Sequence, residues 1–278
     1  MLIKLLKYEI VSEWKKYAVT YIGMLILAVS ILIASNELER LGENSFAEML
    51  QSLLMNAFAL LSFAAFVMVL VFATLRFYKN MFRDEGYLMH TLPVSAMSHI
   101  LSKLASTYIW FMLTSAVFML SLCIAKGSTE PLNGLLSIKM YITDSAVNDG
   151  IVIADSSDLE TFIKLCNSFL VKCAVAGFFT APILFQILMN FCIAFGNLFN
   201  RHKIPMAVVT FVGINLISNI ISGIIMTCAF RDAESATSAE VISMFTDGFI
   251  INAVVFAVIY AAMFCATHFI MDKKLNLE

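Results

Sequence analysis

Asn215, Ser218, Asn219 and Ser222 recur three and four residues apart, which puts four hydrogen-bonding side chains on one face of a helix. Gln186 and Asn190 form a second such pair, one turn beyond Pro182. No serine, histidine and acid combination sits at membrane depth to make a nucleophile of Ser218 or Ser222, so what these neutral groups can do is hydrogen-bond. In an apolar setting they either line a path for a polar cargo or join helix to helix, at ~0.6 kcal/mol per contact. Lys172, near the far end of the run that holds Gln186, can snorkel toward an interface.

Other chemistry is missing. No Asp or Glu falls within the six apolar runs defined below, whereas proton and ion relays of pumps and coupled carriers use intramembrane carboxylates. There is no G-x-x-x-x-G-K-[ST] loop for ATP and no H-E-x-x-H zinc motif. His90, His99, His202 and His268 are far apart in sequence, the first three expected at water or headgroups and the last against inner loops. The six cysteines contain no C-x-x-C pair. Most are expected to pack as small hydrophobes, with a disulfide among Cys123, Cys166 and Cys228 left open. The expectation is a chain that is not an enzyme, with no catalytic residue, metal site or cofactor of its own.

The elements that must position these residues are plain in the composition. The chain has 278 residues, 60% of them hydrophobic, and a mean hydropathy of +0.87, which excludes an ordinary soluble domain. The apolar runs are Tyr17–Ser35, Leu53–Leu75, Leu104–Ala125, Leu165–Phe195, Ile204–Phe230 and Phe249–Met271. Each is near or above the ~20 residues that cross ~30 Å of hydrocarbon as a helix. Of 18 lysines and arginines, twelve fall at the termini or in the second and fourth connections, and six in or beside the others. By the positive-inside rule both termini are cytoplasmic. The expected fold is an all-α membrane domain over 1–278, multi-pass in the plasma membrane. No cleaved signal is expected, because the first run begins at Tyr17 and is too long for a signal core.

Residues 1–16 read as an interfacial helix, with Ile3, Leu6, Ile10, Trp14 and Tyr17 on one stripe and Lys4, Ser12, Lys15 and Lys16 opposite. The outer segment 126–164 is long and mixed; Ser137–Thr143 partly alternates as a short strand would, and Asn148-Asp149-Gly150 signals a turn. The outer connection Arg231–Asp247 reads either as a dip back toward the membrane, through the weakly amphipathic Ala239–Phe245, or as a short connector. Ala253, Ala257, Ala261 and Cys265 place small residues four apart on the last span, a spacing that permits close helix contact.

The inner connection RFYKNMFRDEGYLMHTLPVSAMSHILSK (76–103) is the most structured polar segment. Asp84 can cap a short helix through Glu85–Thr91. Pro93 stops it, because the residue before a proline is pushed out of the helical region. Ser95 can then cap the third span. With the basic leader LIKLLKYEIVSEWKKY and six spans with both termini inside, this segment resembles type-2 ATP-binding-cassette exporter permeases, especially the small stand-alone permeases of Gram-positive bacteria. In that family an acidic residue, Gly or Ala, an aromatic, and then Leu-Pro-Val-Ser recur. Here Glu85, Gly86, Tyr87, Leu92, Pro93, Val94 and Ser95 match.

The resemblance implies that Asp84, Glu85, Gly86, Tyr87, Leu88, Thr91, Leu92 and Pro93 form a coupling helix docked on a separate ATPase. ATP and magnesium would be held by that partner chain. A second permease copy, identical or related, is also implied, as is export as the function. The bilayer is the remaining partner, and no nucleic acid is expected. Competing readings are a passive channel or ion-coupled carrier, and a non-transporting membrane scaffold or sensor. In a cysteine-free background, single cysteines at Ser137 and Asn276 test the topology. An impermeant thiol reagent on intact cells is expected to label the first position and spare the second; the reverse pattern would reject the orientation.

Overall fold

A computed structural model describes residues 2–41, 45–82, 96–128, 156–199, 201–231 and 238–273. They form six helices: α1 (Leu2–Leu41), α2 (Ser45–Phe82), α3 (Ala96–Lys126), α4 (Ser156–Gly196), α5 (Lys203–Ala229) and α6 (Ser238–Lys273). No strand occurs among the described residues. Each helix contains a stretch long and apolar enough to cross a membrane: Leu5–Asn36, Glu48–Phe82, Met97–Lys126, Val175–Gly196, Lys203–Ala229 and Met244–Asp272. The six expected spans therefore correspond one to one with six helices.

The helices outrun the apolar runs. α1 has 40 residues, about 60 Å at 1.5 Å per residue, against a hydrocarbon core of ~30 Å. Residues 2–16, expected to lie at the interface, are continuous with the first span as the opening turns of α1. On the expected apolar stripe Tyr17 is buried, but Trp14 is half exposed. The buried positions are instead Glu9, Glu13, Tyr17, Met24, Ala28 and Ile31, one seam at the three-to-four spacing of packed helices. Ser137–Thr143, the Asn148–Gly150 turn and all of Asp84–Pro93 lie outside the described residues. All of Ala239–Phe245 belongs to α6, among its N-terminal turns.

The chain divides into two compact units, Met1–Ser137 and Ile138–Asn276. In the first, α1 packs on both α2 and α3. Tyr17 lies against Trp110, with ring centroids 4.4 Å apart, and against Phe72 at 6.1 Å. Farther along the same seam Ala28 and Ile31 meet Phe58 and Ala125. The Tyr21 hydroxyl lies 2.7 Å from Thr114 Oγ1, while Thr114 gives its own proton to the Trp110 carbonyl at 2.8 Å. Tyr21 is therefore the donor, and it ties α1 to α3 at mid-height.

In the second unit, α4 packs on α5 and α6 around Leu188, Cys192 and Met263. Pro182 sits inside α4 without ending it, as membrane helices tolerate. Pro205 occupies the first turn of α5, where its missing N–H costs nothing. The α4–α5 corner is tight. Asn197 donates its backbone and side-chain N–H groups to the Ile193 carbonyl, at 3.0 and 2.8 Å. A Cβ on Gly196 would stand 2.7 Å from the Lys203 carbonyl oxygen and 2.8 Å from the Ala207 backbone nitrogen, both fixed backbone atoms. At Gly213 a Cβ would meet nothing within 4 Å. Gly196→Ala is thus expected to destabilise the protein by about 1–3 kcal/mol through overpacking. Gly213→Ala should be neutral or favourable, by up to about 1 kcal/mol of helix propensity. Thermal melting in detergent would compare them, and equal melting points would contradict the corner geometry.

Candidate functional site

The site is built on α1. Extending the buried seam of α1 back from Tyr17 in steps of four reaches Glu13 and then Glu9. Both are about 5% exposed, so two carboxylates occupy positions where an apolar side chain would ordinarily pack. Burying them demands compensating charge. Arg76, in the last two turns of α2, supplies one cation. Its Nε lies 2.8 Å from Glu9 Oε2, one of its terminal nitrogens donates to the Glu9 backbone carbonyl at 2.7 Å, and the same nitrogen lies 3.4 Å from Glu13 Oε1. Lys103, in the second turn of α3, supplies the other, with Nζ donating to Glu9 Oε1 at 3.1 Å.

Each oxygen of Glu9 thus holds a different cation from a different helix. Two carboxylates and two cations balance, and the cluster is closed at its sides by Tyr17 and Trp110 around a cavity of about 10 Å³, near the lower limit for one water. Trp110 lines that cavity, and its indole Nε1 is buried without a hydrogen-bond partner. Ser106 and Thr107 are buried beside it, with the Thr107 hydroxyl spent on the Lys103 carbonyl at 2.8 Å. His99, expected at water, is only 2% exposed, one turn before Lys103.

The absence of carboxylates from the apolar runs holds for the runs as bounded. It does not hold for the helix interior, because α1 begins before Tyr17. The sequence carried the signal: Glu9, Glu13, Tyr17, Tyr21 and Met24 lie on one seam. A stripe read within residues 1–16 alone chose the neighbouring face.

The polar rows are arranged differently. Gln186 and Asn190 are buried, at 0% and 1% exposure, and Gln186 Nε2 donates to Asn190 Oδ1 at 2.8 Å. Gln186 Oε1 and Asn190 Nδ2 have no partner. On α5, Asn215 Nδ2 donates to the Phe211 carbonyl at 2.8 Å and Asn219 Nδ2 to the Asn215 carbonyl at 2.7 Å, each bonding back onto its own helix. Ser222 accepts from Asn252 Nδ2 of α6 at 2.8 Å, a bond between helices. Ser218 is half-buried and Asn219 exposed. Among the described residues no hydrogen bond joins the α4 pair to the α5 row. Cys123, Cys192, Cys228 and Cys265 are free thiols, and the side chain of Cys166 lies outside the described residues. No group of three or more metal-ligating side chains occurs among the described residues.

The cluster's arithmetic gives a prediction. Glu9→Gln removes the charge that both cations share and leaves buried Lys103 without its partner, so a loss of about 3–5 kcal/mol is expected. Glu13→Gln should cost less, because Arg76 keeps its 2.8 Å contact with Glu9. The double variant Glu9→Gln/Lys103→Met should recover part of the loss, since a buried pair replaced as a pair is often close to neutral. Chemical or thermal unfolding in detergent measures all three; additive losses in the double variant would show that the two groups are not coupled.

Comparison with known proteins finds no match: no protein-family model fits the chain, and neither a curated protein nor a solved structure matches it.

Proposed function

We propose that the chain is the membrane-spanning permease subunit of an ATP-binding-cassette exporter, driven by a separate ATPase and working beside a second permease copy. The observation that carries this reading is the placement of the ion cluster around the inner connection. Arg76 lies six residues before the end of α2 and Lys103 seven after the start of α3. Both are held by the same Glu9 carboxylate. The segment between these helices is the one whose Glu85-Gly86-Tyr87 and Leu92-Pro93-Val94-Ser95 resemble a coupling helix. Force applied there enters two helices clamped to a third, which is what an externally driven permease requires.

Three further observations support it. Six membrane-competent helices occur among the described residues, and the sequence holds no G-x-x-x-x-G-K-[ST] loop. Buried Gln186 and Asn190 offer unspent hydrogen-bonding groups within the second unit, suited to a cargo path that also includes Asn215, Ser218, Asn219 and Ser222. Ala253, Ala257, Ala261 and Cys265 are exposed, leaving a small-residue face of α6 open to a second copy.

An ion-coupled carrier is the reading that buried Glu9 and Glu13 favour by themselves, since intramembrane carboxylates mark proton and ion relays. Here each carboxylate is bound to Arg76 or Lys103, so both are spent on joining helices and not left open to a passing ion. The structural role is therefore preferred.

The test is co-purification with a Walker-A-bearing ATPase, followed by ATPase assay in lipid. Tyr87→Ala is expected to weaken association by about 2 kcal/mol, as truncation of a central aromatic anchor commonly does. Glu85→Ala should act mainly on association rate, as a rim charge does. Gly86→Val should also be damaging if backbone approaches closely there. Wild-type association and transport in a Glu85/Tyr87/Leu88 triple-alanine variant would place docking elsewhere, with Asn197–Lys203 the next candidate.

A further inference from the structure

The first unit carries two adjoining cavities at the end opposite the ion cluster, and they share Met55. The terminal one, about 550 Å³, takes its polar lining from Ser35, Asn36, Gln51 and Lys126. The other, about 430 Å³, runs between α2 and α3 and is apolar. Its one polar lining side chain, Ser62, spends its hydroxyl on the Phe58 carbonyl at 2.7 Å. We propose that the two cavities together hold one phospholipid of the surrounding bilayer, with the phosphate in the terminal cavity and an acyl chain in the groove.

The dimensions fit. The groove follows α2 from Met55 to Phe66, eleven residues or about 16 Å along the helix, which is half of a ~30 Å hydrocarbon core and hence the depth of one leaflet. Its floor is rigid. Phe118 packs against Phe58 at 6.1 Å and against Phe66 at 5.9 Å, ring centroid to ring centroid. Small side chains at Ala59 and Ser62 leave the space between those rings unfilled.

The terminal cavity is complementary to a phosphate, which offers only acceptors. Lys126 is exposed and has no ion-pair partner among the described residues. Asn36 and Gln51 add amide donors, while Ser35 has already given its proton to the Leu32 carbonyl at 2.8 Å. Gly127 fixes the cation at the rim. Its φ of +61° ends α3 directly after Lys126, and a Cβ there would come within 3.1 Å of Leu32 Cδ1. A cation at one end of a leaflet-deep apolar slot fits a phospholipid better than a free anion or an uncharged lipid. This inference rests on the six-span reading and is independent of whether an ATPase partners the chain.

Native mass spectrometry of the delipidated full chain tests it, with phosphatidylglycerol and diacylglycerol of matched chains as probes. One phosphatidylglycerol per chain is expected, held about tenfold more tightly than diacylglycerol, the factor a charge-assisted hydrogen bond supplies. Lys126→Glu should remove that preference and Lys126→Arg keep it. Ala59→Trp, which fills the groove, should weaken both lipids. Lys126 is at the surface, so its variants keep the fold, and the Ala59 variant is read only if its melting point is retained. Equal retention of the two lipids would overturn the proposal, as would phosphatidylglycerol binding that Lys126→Glu leaves unchanged. Displacement by inorganic phosphate with Ala59→Trp silent would reduce the site to an anion pocket and overturn it too.

Discussion

A carboxylate buried in a helix seam must be neutralised, and the first unit is organised around that requirement. Glu9 is held by cations from two other helices, at 2.8 Å from Arg76 and 3.1 Å from Lys103. Apolar packing tells each helix how deep to sit but permits rotation and sliding, because one methyl resembles another. An ion pair with defined oxygens does not slide. Tyr17 against Trp110 and Tyr21 to Thr114 continue the same registration up the seam. The charged end sets the alignment of α1, α2 and α3, and the apolar end continues their packing. Net stabilisation from such a cluster is small, because desolvation of the ions offsets most of their attraction. Its effect lies in the choice of one arrangement over its neighbours.

How much of this was legible follows from what each pattern encodes. Apolar runs of about twenty residues announce membrane spans through a bulk property, transfer out of water, and all six correspond to helices. Helix ends are another matter. Backbone hydrogen bonding continues past the hydrocarbon wherever a neighbour supports it, so α1 reaches back to Leu2. Glu9 and Glu13 were readable as part of the Tyr17–Met24 seam, but a glutamate on a basic leader ordinarily faces water. Only its partners, 67 and 94 residues away, overrule that expectation, and spacing within one helix cannot name them. His99 was misjudged for the same reason.

The polar rows show a related limit. Periodicity placed Asn215, Ser218, Asn219 and Ser222 on one face, but it is silent on what a side-chain amide bonds. Asn215 and Asn219 turn back to carbonyls one turn earlier on their own helix, an option always within reach of an asparagine in apolar surroundings. Ser222 reaches Asn252 because α6 happens to run alongside. Gln186 and Asn190 bond each other and still leave one acceptor and one donor unspent. In a buried setting that leftover capacity is costly, at about 1–3 kcal/mol per group. This pair therefore has the stronger claim among the six to a role beyond holding helices together.

The ion cluster also constrains how the proposed permease could move. If α2 and α3 met only through apolar side chains, a push on the segment between them could splay the two helices, and the displacement would be lost into lipid. With Arg76 and Lys103 on opposite oxygens of Glu9, splaying would have to break a buried ion pair. That route is closed by several kcal/mol. Displacement is then passed to α1, whose seam runs unbroken from Glu9 to Ile31, about 33 Å along the helix and so the full depth of the hydrocarbon core. On the proposed function the three helices would move as one body. A motion started at the charged end would then reach the other end of the seam, where the cavity proposed to hold a phosphate lies between the ends of the same three helices.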